Sequence, residues 1–72
     1  MTLKDITLVM TADVRIVIKY QDEVIFTGTV DALYNEYIRY QGQDIDSTVF
    51  LEKVVCDVYY SLRYDAIMIG IE

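Results

Sequence analysis

Residues 13–29 have the sequence DVRIVIKYQDEVIFTGT, in which apolar and polar side chains alternate on both sides of a short polar run. The apolar side chains of the first half share one side of the chain: Val14, Ile16, Ile18 and Tyr20. Alternation with a period of two is typical of a β-strand with one buried face. Gln21-Asp22-Glu23 is polar enough to form a loop, so this segment is predicted to be a β-hairpin, with strands over residues 13–20 and 24–29.

Residues 54–71 carry the same kind of alternation twice more. A third strand is predicted over residues 54–61, in which Val54, Cys56, Val58 and Tyr60 alternate with Val55, Asp57, Tyr59 and Ser61. The chain is predicted to turn from Ser61 to Asp65. A fourth strand follows, with the isoleucines on its apolar side: Ile67, Ile69 and Ile71.

The segment before the first hairpin is predicted to be a short helix. Thr2 and Asp5 have the spacing of a capping box, and apolar side chains recur at helical intervals over residues 3–10. A strand that uses alternate residues of the same segment is the other interpretation that the pattern allows.

A second helix is predicted after the first hairpin, with Thr29 or Asp31 as its N-cap. Its apolar face consists of Leu33, Tyr34, Tyr37 and Ile38. Gly42 stands where a left-handed C-cap is expected. Residues 43–48 are predicted to be a polar loop, and residues 49–51 either turn or begin a strand.

The order of elements is therefore helix, hairpin, helix, hairpin. This order predicts a single α+β domain over residues 1–72, with a four-stranded, mostly antiparallel sheet and one or two short helices on one face. A chain of 72 residues buries only about 60% of its unfolded surface, so self-association is expected, as a homodimer or another homo-oligomer.

The composition excludes several classes of function. There is no His, there is one Cys, and twelve acidic against six basic residues give a net charge of −6. These counts leave no His-based catalysis, no disulfide framework, no Cys/His zinc site and no broad basic surface for nucleic acid. We therefore expect a protein that is not an enzyme, has no cofactor or metal, and does not bind nucleic acid directly.

The apolar runs and the single cysteine predict where the protein is located. No apolar run approaches the ~18–20 residues that span a bilayer, so no membrane association is expected. A single cysteine favours the reducing cytoplasm.

Three groups of polar or reactive residues were candidates for chemistry. Cys56 is predicted to be a small buried hydrophobe. Asp44 and Asp46 have the opening spacing of a calcium loop, but the later ligands are missing, which favours a solvated acidic loop. Arg15 and Lys19 lie on one strand face and could hold an anion.

The face of the sheet opposite the helices is the most informative surface. The core would take Val14, Ile16, Ile18, Val24, Phe26, Val54, Cys56, Val58, Ile67, Ile69 and Ile71. The opposite face would then carry five apolar side chains: Val17, Ile25, Val55, Tyr59 and Met68. An apolar patch of that size indicates an interface. The alternative is that the N-terminal segment folds across this face and covers it.

Exposed tyrosines and acidic loops extend the predicted interaction surface. Tyr40, Tyr59 and Tyr64 are expected to be at least partly exposed, and tyrosine is favoured at binding surfaces. Together with Asp44 and Asp46 they suit a basic protein partner, whose approach an acidic surface would steer.

The layout resembles that of short acidic proteins encoded by phages and mobile elements of Gram-positive bacteria. The resemblance is carried by residues 14–18 (VRIVI), residues 24–31 (VIFTGTVD) and residues 67–69 (IMI), which are amphipathic strands and a helix cap. Some proteins of that kind are anti-CRISPR or other anti-defence factors. The resemblance implies a cytoplasmic inhibitor, in a bacterial host cell, that blocks a basic nucleic-acid-handling defence protein such as a nuclease.

The sequence therefore predicts a non-catalytic protein-binding module. Two alternatives remain at this stage: a homo-oligomer that sequesters a small anion through Arg15 and Lys19, and a purely structural or assembly protein.

Overall fold

The computed structural model describes residues 1–72, which form three short helices and six strands. In chain order these are α1 (Leu3–Leu8), β1 (Arg15–Tyr20), β2 (Glu23–Thr29), α2 (Val30–Asn35), β3 (Tyr37–Tyr40), β4 (Gln43–Asp46), α3 (Thr48–Leu51), β5 (Val55–Ser61) and β6 (Ala66–Ile71). The predicted α+β class is confirmed. The chain has one more hairpin and one more helix than the sequence predicted.

The main sheet has four strands in the order β2-β1-β6-β5, so the two predicted hairpins lie side by side. Each hairpin is antiparallel, whereas the two central strands, β1 and β6, run parallel. The mostly antiparallel sheet is therefore confirmed. Isoleucines pair directly across the centre, Ile16 with Ile67 and Ile18 with Ile69. Strands β3 and β4 form a separate two-stranded sheet.

One side of the main sheet is covered by the helices and the β3–β4 hairpin. The main core joins residues of all these elements: Leu3, Ile16, Ile18, Ile25, Phe26, Val30, Leu33, Ile38, Phe50, Leu51, Ile69 and Ile71. Burial of each such side chain stabilises the fold by about 1.5–3 kcal/mol relative to leaving it in water. None of the helices has the length and apolar character needed to cross a membrane.

Helix α1 begins with the capping box that the sequence predicted, so the helix is confirmed over the alternative strand. The Asp5 backbone N–H donates to Thr2 Oγ1 at 3.2 Å, and the Thr2 backbone N–H donates to Asp5 Oδ2 at 3.0 Å. The bond from the Thr2 backbone holds the pKa of the Asp5 carboxyl below its usual value. Each bond satisfies a backbone N–H that the first turn of a helix leaves unpaired.

The substitution Thr2→Ala removes the capping hydroxyl and is expected to lower the free energy of unfolding by about 1 kcal/mol at neutral pH. Because the folded-state pKa of Asp5 is lowered, its contribution is present above the unfolded-state pKa and is lost as the pH falls through the folded-state value. Urea denaturation at neutral and acidic pH measures both effects. In the matched control Thr11→Ala, which removes an exposed loop hydroxyl that donates to Asp13, the change should stay within about 0.5 kcal/mol.

The first hairpin contains a bulge that changes the predicted faces at the start of β2. Ile18 pairs with Phe26 and Lys19 pairs with Val24, so Ile25 has no partner on β1. Both Ile25 and Phe26 therefore point into the core, and Val24 is exposed. The prediction that Val24 is buried and Ile25 lies on the open face was wrong. The hairpin itself is confirmed, with a tight turn in which Gln21 and Asp22 both have positive φ.

A second bulge displaces the predicted faces of β5. Val55 pairs with Ile71 and Asp57 pairs with Gly70, which leaves Cys56 unpaired and exposed. Val55 packs against the main core instead of the open face, and Val54 is exposed. Val58 is exposed as well, because β5 is an edge strand. The prediction that Val54, Cys56 and Val58 are buried was therefore wrong, as was the placement of Val55.

The second helix is shorter than predicted. α2 ends at Asn35, and residues 37–46 form the β3–β4 hairpin, in which Ile38 pairs with Ile45. Gly42 lies in the turn of this hairpin with a φ of 78°, and Gln41 has a φ of 51°. The predictions of a helical C-cap at Gly42 and of a loop over residues 43–48 were wrong.

Two details of the same region also differ from the prediction. Tyr37 is exposed instead of facing the core. Residues 48–51 form α3, which replaces the predicted turn or strand.

Candidate functional site

The side of the main sheet that faces away from the helices carries no covering element. Its small apolar cluster consists of strand residues alone: Val17, Ala66 and Met68. The N-terminal segment does not cover this side, because Leu3 of α1 is part of the main core on the opposite side. The open face that the sequence predicted therefore exists, and the alternative of an N-terminal cover was wrong.

The composition of this open face differs from the prediction. Val17 and Met68 belong to the central strands and are buried among their neighbours, which include Thr27 on β2 and Tyr59 on β5. Ile25 is in the main core. Of the five predicted apolar residues only Tyr59 is exposed, with 47% of its surface accessible. The prediction of a broad, uncovered apolar patch was therefore wrong.

A groove of about 420 Å³ lies on this face, near the end of β1 and the start of β5. Gly70 on β6 forms part of its lining, and its strand neighbours are Lys19 on β1 and Asp57 on β5. Met68 and Tyr59 line the groove beyond Gly70. Because Gly70 has no side chain, the surface of the sheet is recessed there. The strand neighbours of Gly70 carry long or charged side chains, which form the sides of this recess.

The bulge at Cys56 explains why the groove needs glycine at this position. A Cβ atom built on Gly70 would lie 3.3 Å from the Asp57 Cβ and 3.4 Å from the Cys56 Sγ. Both distances are tight, so the close approach of β5 depends on the missing side chain. An isolated glycine within an apolar strand is the sequence signal that indicates such a close approach.

The charges around the groove are mostly negative. Lys19 is the one basic residue of the lining, whereas three acidic residues line it: Asp22, Asp57 and Glu72. An acidic concavity raises the local concentration of cations and attracts positively charged groups. The exposed ring of Tyr59 adds a flat apolar surface on which the stem or the charged end of a basic side chain can pack.

Cys56 is the one thiol of the groove, and two features bear on its chemistry: the residues that could activate it and the residues that could bind a metal ion. The Cys56 thiol is exposed at the groove, but the chain contains no His that could act as its general base. No three His, Cys, Asp or Glu side chains converge in a geometry that could hold a metal ion.

The other predicted interaction residues do not line the groove. Tyr40 packs edge-to-face against Tyr20 and Phe50, and its hydroxyl donates to Gln21 Oε1 at 2.8 Å. Desolvation raises the pKa of the Tyr40 hydroxyl. The Arg63 guanidinium lies 5.8 Å from the centre of the Tyr64 ring.

The two predicted acidic loop residues lie in β4, where both are engaged locally. Asp44 forms an exposed ion pair with Arg39 at 3.1 Å. Asp46 accepts hydrogen bonds from the backbone N–H and the hydroxyl of Thr48, and the backbone bond lowers the pKa of its carboxyl.

The structure thus brings together only part of the predicted site. Lys19, Tyr59 and Met68 line the groove, whereas Arg15 does not. Eight lining residues were not among the predicted site residues: Tyr20, Gln21, Asp22, Cys56, Asp57, Gly70, Ile71 and Glu72. The isolated glycine in a strand was the one signal that pointed to this place.

No protein-family model matches the chain, and neither a curated protein nor a solved structure is similar to it.

Proposed function

We propose that this protein is a non-catalytic protein-binding module whose groove receives a basic side chain of a protein partner. The observation that carries the proposal is the groove itself, in which three carboxylates and one exposed tyrosine surround the open position at Gly70. A lysine or arginine that enters this groove would meet both negative charge and an aromatic ring within one concavity.

The overall charge of the chain supports the same kind of partner. A net charge of −6 accelerates the encounter with a basic protein and slows the encounter with an acidic one. The resemblance to small anti-defence proteins extends the proposal to a particular class of partner. In that version the protein acts in the bacterial cytoplasm and blocks a basic nucleic-acid-handling defence protein, such as a nuclease, by occupying its surface.

The anion-binding alternative has weaker support from the geometry. It requires Arg15 and Lys19 to act together, but only Lys19 lines the groove. The three acidic residues around Lys19 would repel a phosphate or a similar ligand. Inorganic phosphate is nevertheless a useful probe, because binding to Lys19 and Arg15 would favour this alternative.

Titration with an oligo-arginine peptide, followed by NMR, tests the proposal. We expect the largest shifts at the amide signals of Gly70, Asp57 and Tyr59, and no such shifts with an oligo-glutamate peptide. Asp57→Lys should weaken the binding about tenfold, which corresponds to about 1.4 kcal/mol. The control Asp13→Lys makes the same change of charge outside the groove and should weaken binding much less.

Two results would contradict the proposal. In the first, the basic peptide shifts amide signals over the whole acidic surface, and Asp57→Lys and Asp13→Lys lose the same amount of peptide affinity. In the second, phosphate shifts the amide signals of the groove and the basic peptide does not.

A further inference from the structure

Strand β5 is the most exposed element of the sheet. Its residues from Cys56 to Tyr60 are all exposed, although they belong to one strand with two faces. Six of the thirteen large hydrophobic residues exposed in the chain lie between residues 54 and 64: Val54, Val58, Tyr59, Tyr60, Leu62 and Tyr64. Apolar exposure is therefore concentrated at this edge.

The outer side of β5 is covered only where the strand begins. The Val55 backbone N–H donates to the Met1 carbonyl at 2.8 Å, and the Leu3 N–H donates to the Lys53 carbonyl at 2.9 Å. From Asp57 to Ser61 the strand has a hydrogen-bonded neighbour on one side only, which is β6. Alternate backbone groups of this part point away from the sheet and are free to pair.

Native proteins usually protect such an edge, and β5 has little protection. Lysine and proline are the common protective residues, and β5 contains neither. Asp57 is its only charged residue. The bulge at Cys56 distorts the beginning of the strand but leaves the five residues after it regularly paired with β6.

We propose that β5 pairs antiparallel with β5 of a second copy of this chain, with Tyr59 at the two-fold axis. In a symmetric antiparallel pair of strands the two-fold axis passes midway between the two copies of one residue, which face each other. The regular part of the free edge runs from Asp57 to Ser61, and Tyr59 is its centre. This register therefore uses all five residues and ends before the contact between Val55 and Met1.

The side chains are complementary in this register. Tyr59 faces Tyr59 of the second copy, and Val58 faces Tyr60 of the second copy. Aromatic pairs and pairs of an aromatic with a β-branched residue each stabilise an antiparallel sheet by about 0.2–1 kcal/mol. Centring the pair on Asp57 would instead place two carboxylates opposite each other, which is unfavourable.

The charges at the two ends of the paired segment also fit. Asp57 faces Ser61 of the second copy, a residue with a hydroxyl that can donate to the carboxylate. Arg63 of the second copy lies in the turn that follows Ser61, and Asp65 lies in the same turn. Pairing thus places the Asp57 carboxylate opposite a hydroxyl, and not opposite a second carboxylate, at both ends of the interface.

The dimer joins two four-stranded sheets into one, with both grooves on the same open face. Asp57 and Tyr59 line the groove, so the two grooves would lie on either side of the Tyr59 pair. The pairing of β5 does not depend on what the groove binds. A further consequence rests on the proposed function: a partner with two basic groups can engage both grooves of the dimer at once.

The substitution Val58→Glu tests the dimer without changing the groove. Val58 is not part of the groove lining or of the main core. The new carboxylate would face Tyr60 of the second copy, whose hydroxyl donates to Asp65, so two negative charges would approach each other. By light scattering, the wild-type chain should have twice the 8.4 kDa mass of one chain, and the variant should have the mass of one chain.

Val24→Glu is the matched control, because it makes the same change on the opposite edge strand. The exposed fractions of the two valines are nearly equal, 42% for Val24 and 43% for Val58. Val24→Glu should therefore remain a dimer. A monomeric wild-type chain at high concentration, or equal behaviour of the two variants, would overturn the proposal.

A cysteine at the axis tests the register. In the background Cys56→Ser, the variant Tyr59→Cys should form an intermolecular disulfide, since facing Cα atoms lie about 4.5–5.5 Å apart. Tyr60→Cys in the same background should not, because residue 60 faces residue 58 of the second copy. Crosslinking through residue 60 and not through residue 59 would contradict this register.

Salt separates the dimer from the proposed binding of a basic partner. Two chains of net charge −6 repel each other, so screening should strengthen the dimer. The same screening should weaken the binding of oligo-arginine. A dimer that weakens as salt is added would mean that attraction between charges holds it together, against the apolar pairing argued for β5.

Discussion

Replacing Ile69 with alanine is expected to lower the free energy of unfolding by about 3–4 kcal/mol. Ile69 lies on a central strand, is completely buried, and pairs with Ile18 on one side and Val58 on the other. Truncation removes its transfer free energy and leaves a cavity between two rigid strands, where the surroundings cannot collapse. A small domain has only about 5 kcal/mol of stability, so most of it would be lost.

The measurement is urea denaturation, followed by far-UV circular dichroism at one fixed protein concentration. The concentration must be fixed because a dimer makes apparent stability depend on it. Leu62→Ala is the control, since Leu62 is 88% exposed, and its effect should stay within about 0.5 kcal/mol. Equal midpoints for Ile69→Ala and the control would show that the pairing of β1 with β6 is not the centre of the fold.

The strands of the main sheet could be predicted because alternation is a local property of the sequence. Ile16 and Ile18 alternate with Arg15 and Lys19, and any regular strand places these two sets on opposite faces. The assignment of faces was right for the residues after each bulge, such as Phe26, and wrong at or before it, as at Val24 and Val55. One extra residue reverses the side on which the preceding part of a strand lies relative to the following part. Neither bulge has a sequence marker such as glycine at the bulged position, so the pattern alone could not reveal them.

The second helix was overextended for a related reason. The apolar residues of this segment recur at i, i+1, i+4 and i+5, a spacing that one wide face of a helix can carry. The same residues also fit a helix that ends at Asn35 and a strand that begins at Tyr37. The turn at Gln41-Gly42 decides between the two, since both residues have positive φ and close a two-residue hairpin. Glycine favours the left-handed region both at the end of a helix and in a hairpin turn, so Gly42 by itself fits either structure.

The groove could be predicted only in part because it depends on long-range pairing. Lys19 and Gly70 are neighbours only because β1 pairs in parallel with β6, a choice that local patterns do not determine. Asp57 joins them only through the bulge in β5. Gly70 alone gave a local signal, since an isolated glycine in an apolar strand indicates a close approach of another backbone or a ligand.

Replacing Gly70 with valine is expected to abolish the binding of oligo-arginine while the fold remains. The φ of Gly70 is not positive, so a β-branched residue can adopt the conformation of β6 without backbone strain. Its Cβ would lie 3.3 Å from the Asp57 Cβ, and the two methyl groups would extend into the 420 Å³ groove. The side chain therefore occupies the space that a basic group would take, and β5 has to shift by only a few tenths of an ångström.

The reactivity of the Cys56 thiol supplies an independent measure of the same change. In the wild-type chain this thiol is exposed, so a thiol reagent should label it fully without denaturant. A Cβ at Gly70 lies 3.4 Å from its Sγ, so labelling should slow in Gly70→Val and slow less in Gly70→Ala. Thr27→Val places the same side chain on the open face outside the groove, and it should change neither labelling nor binding. Peptide affinity that stays constant across this series, while labelling slows, would mean that the basic group binds elsewhere on the acidic surface.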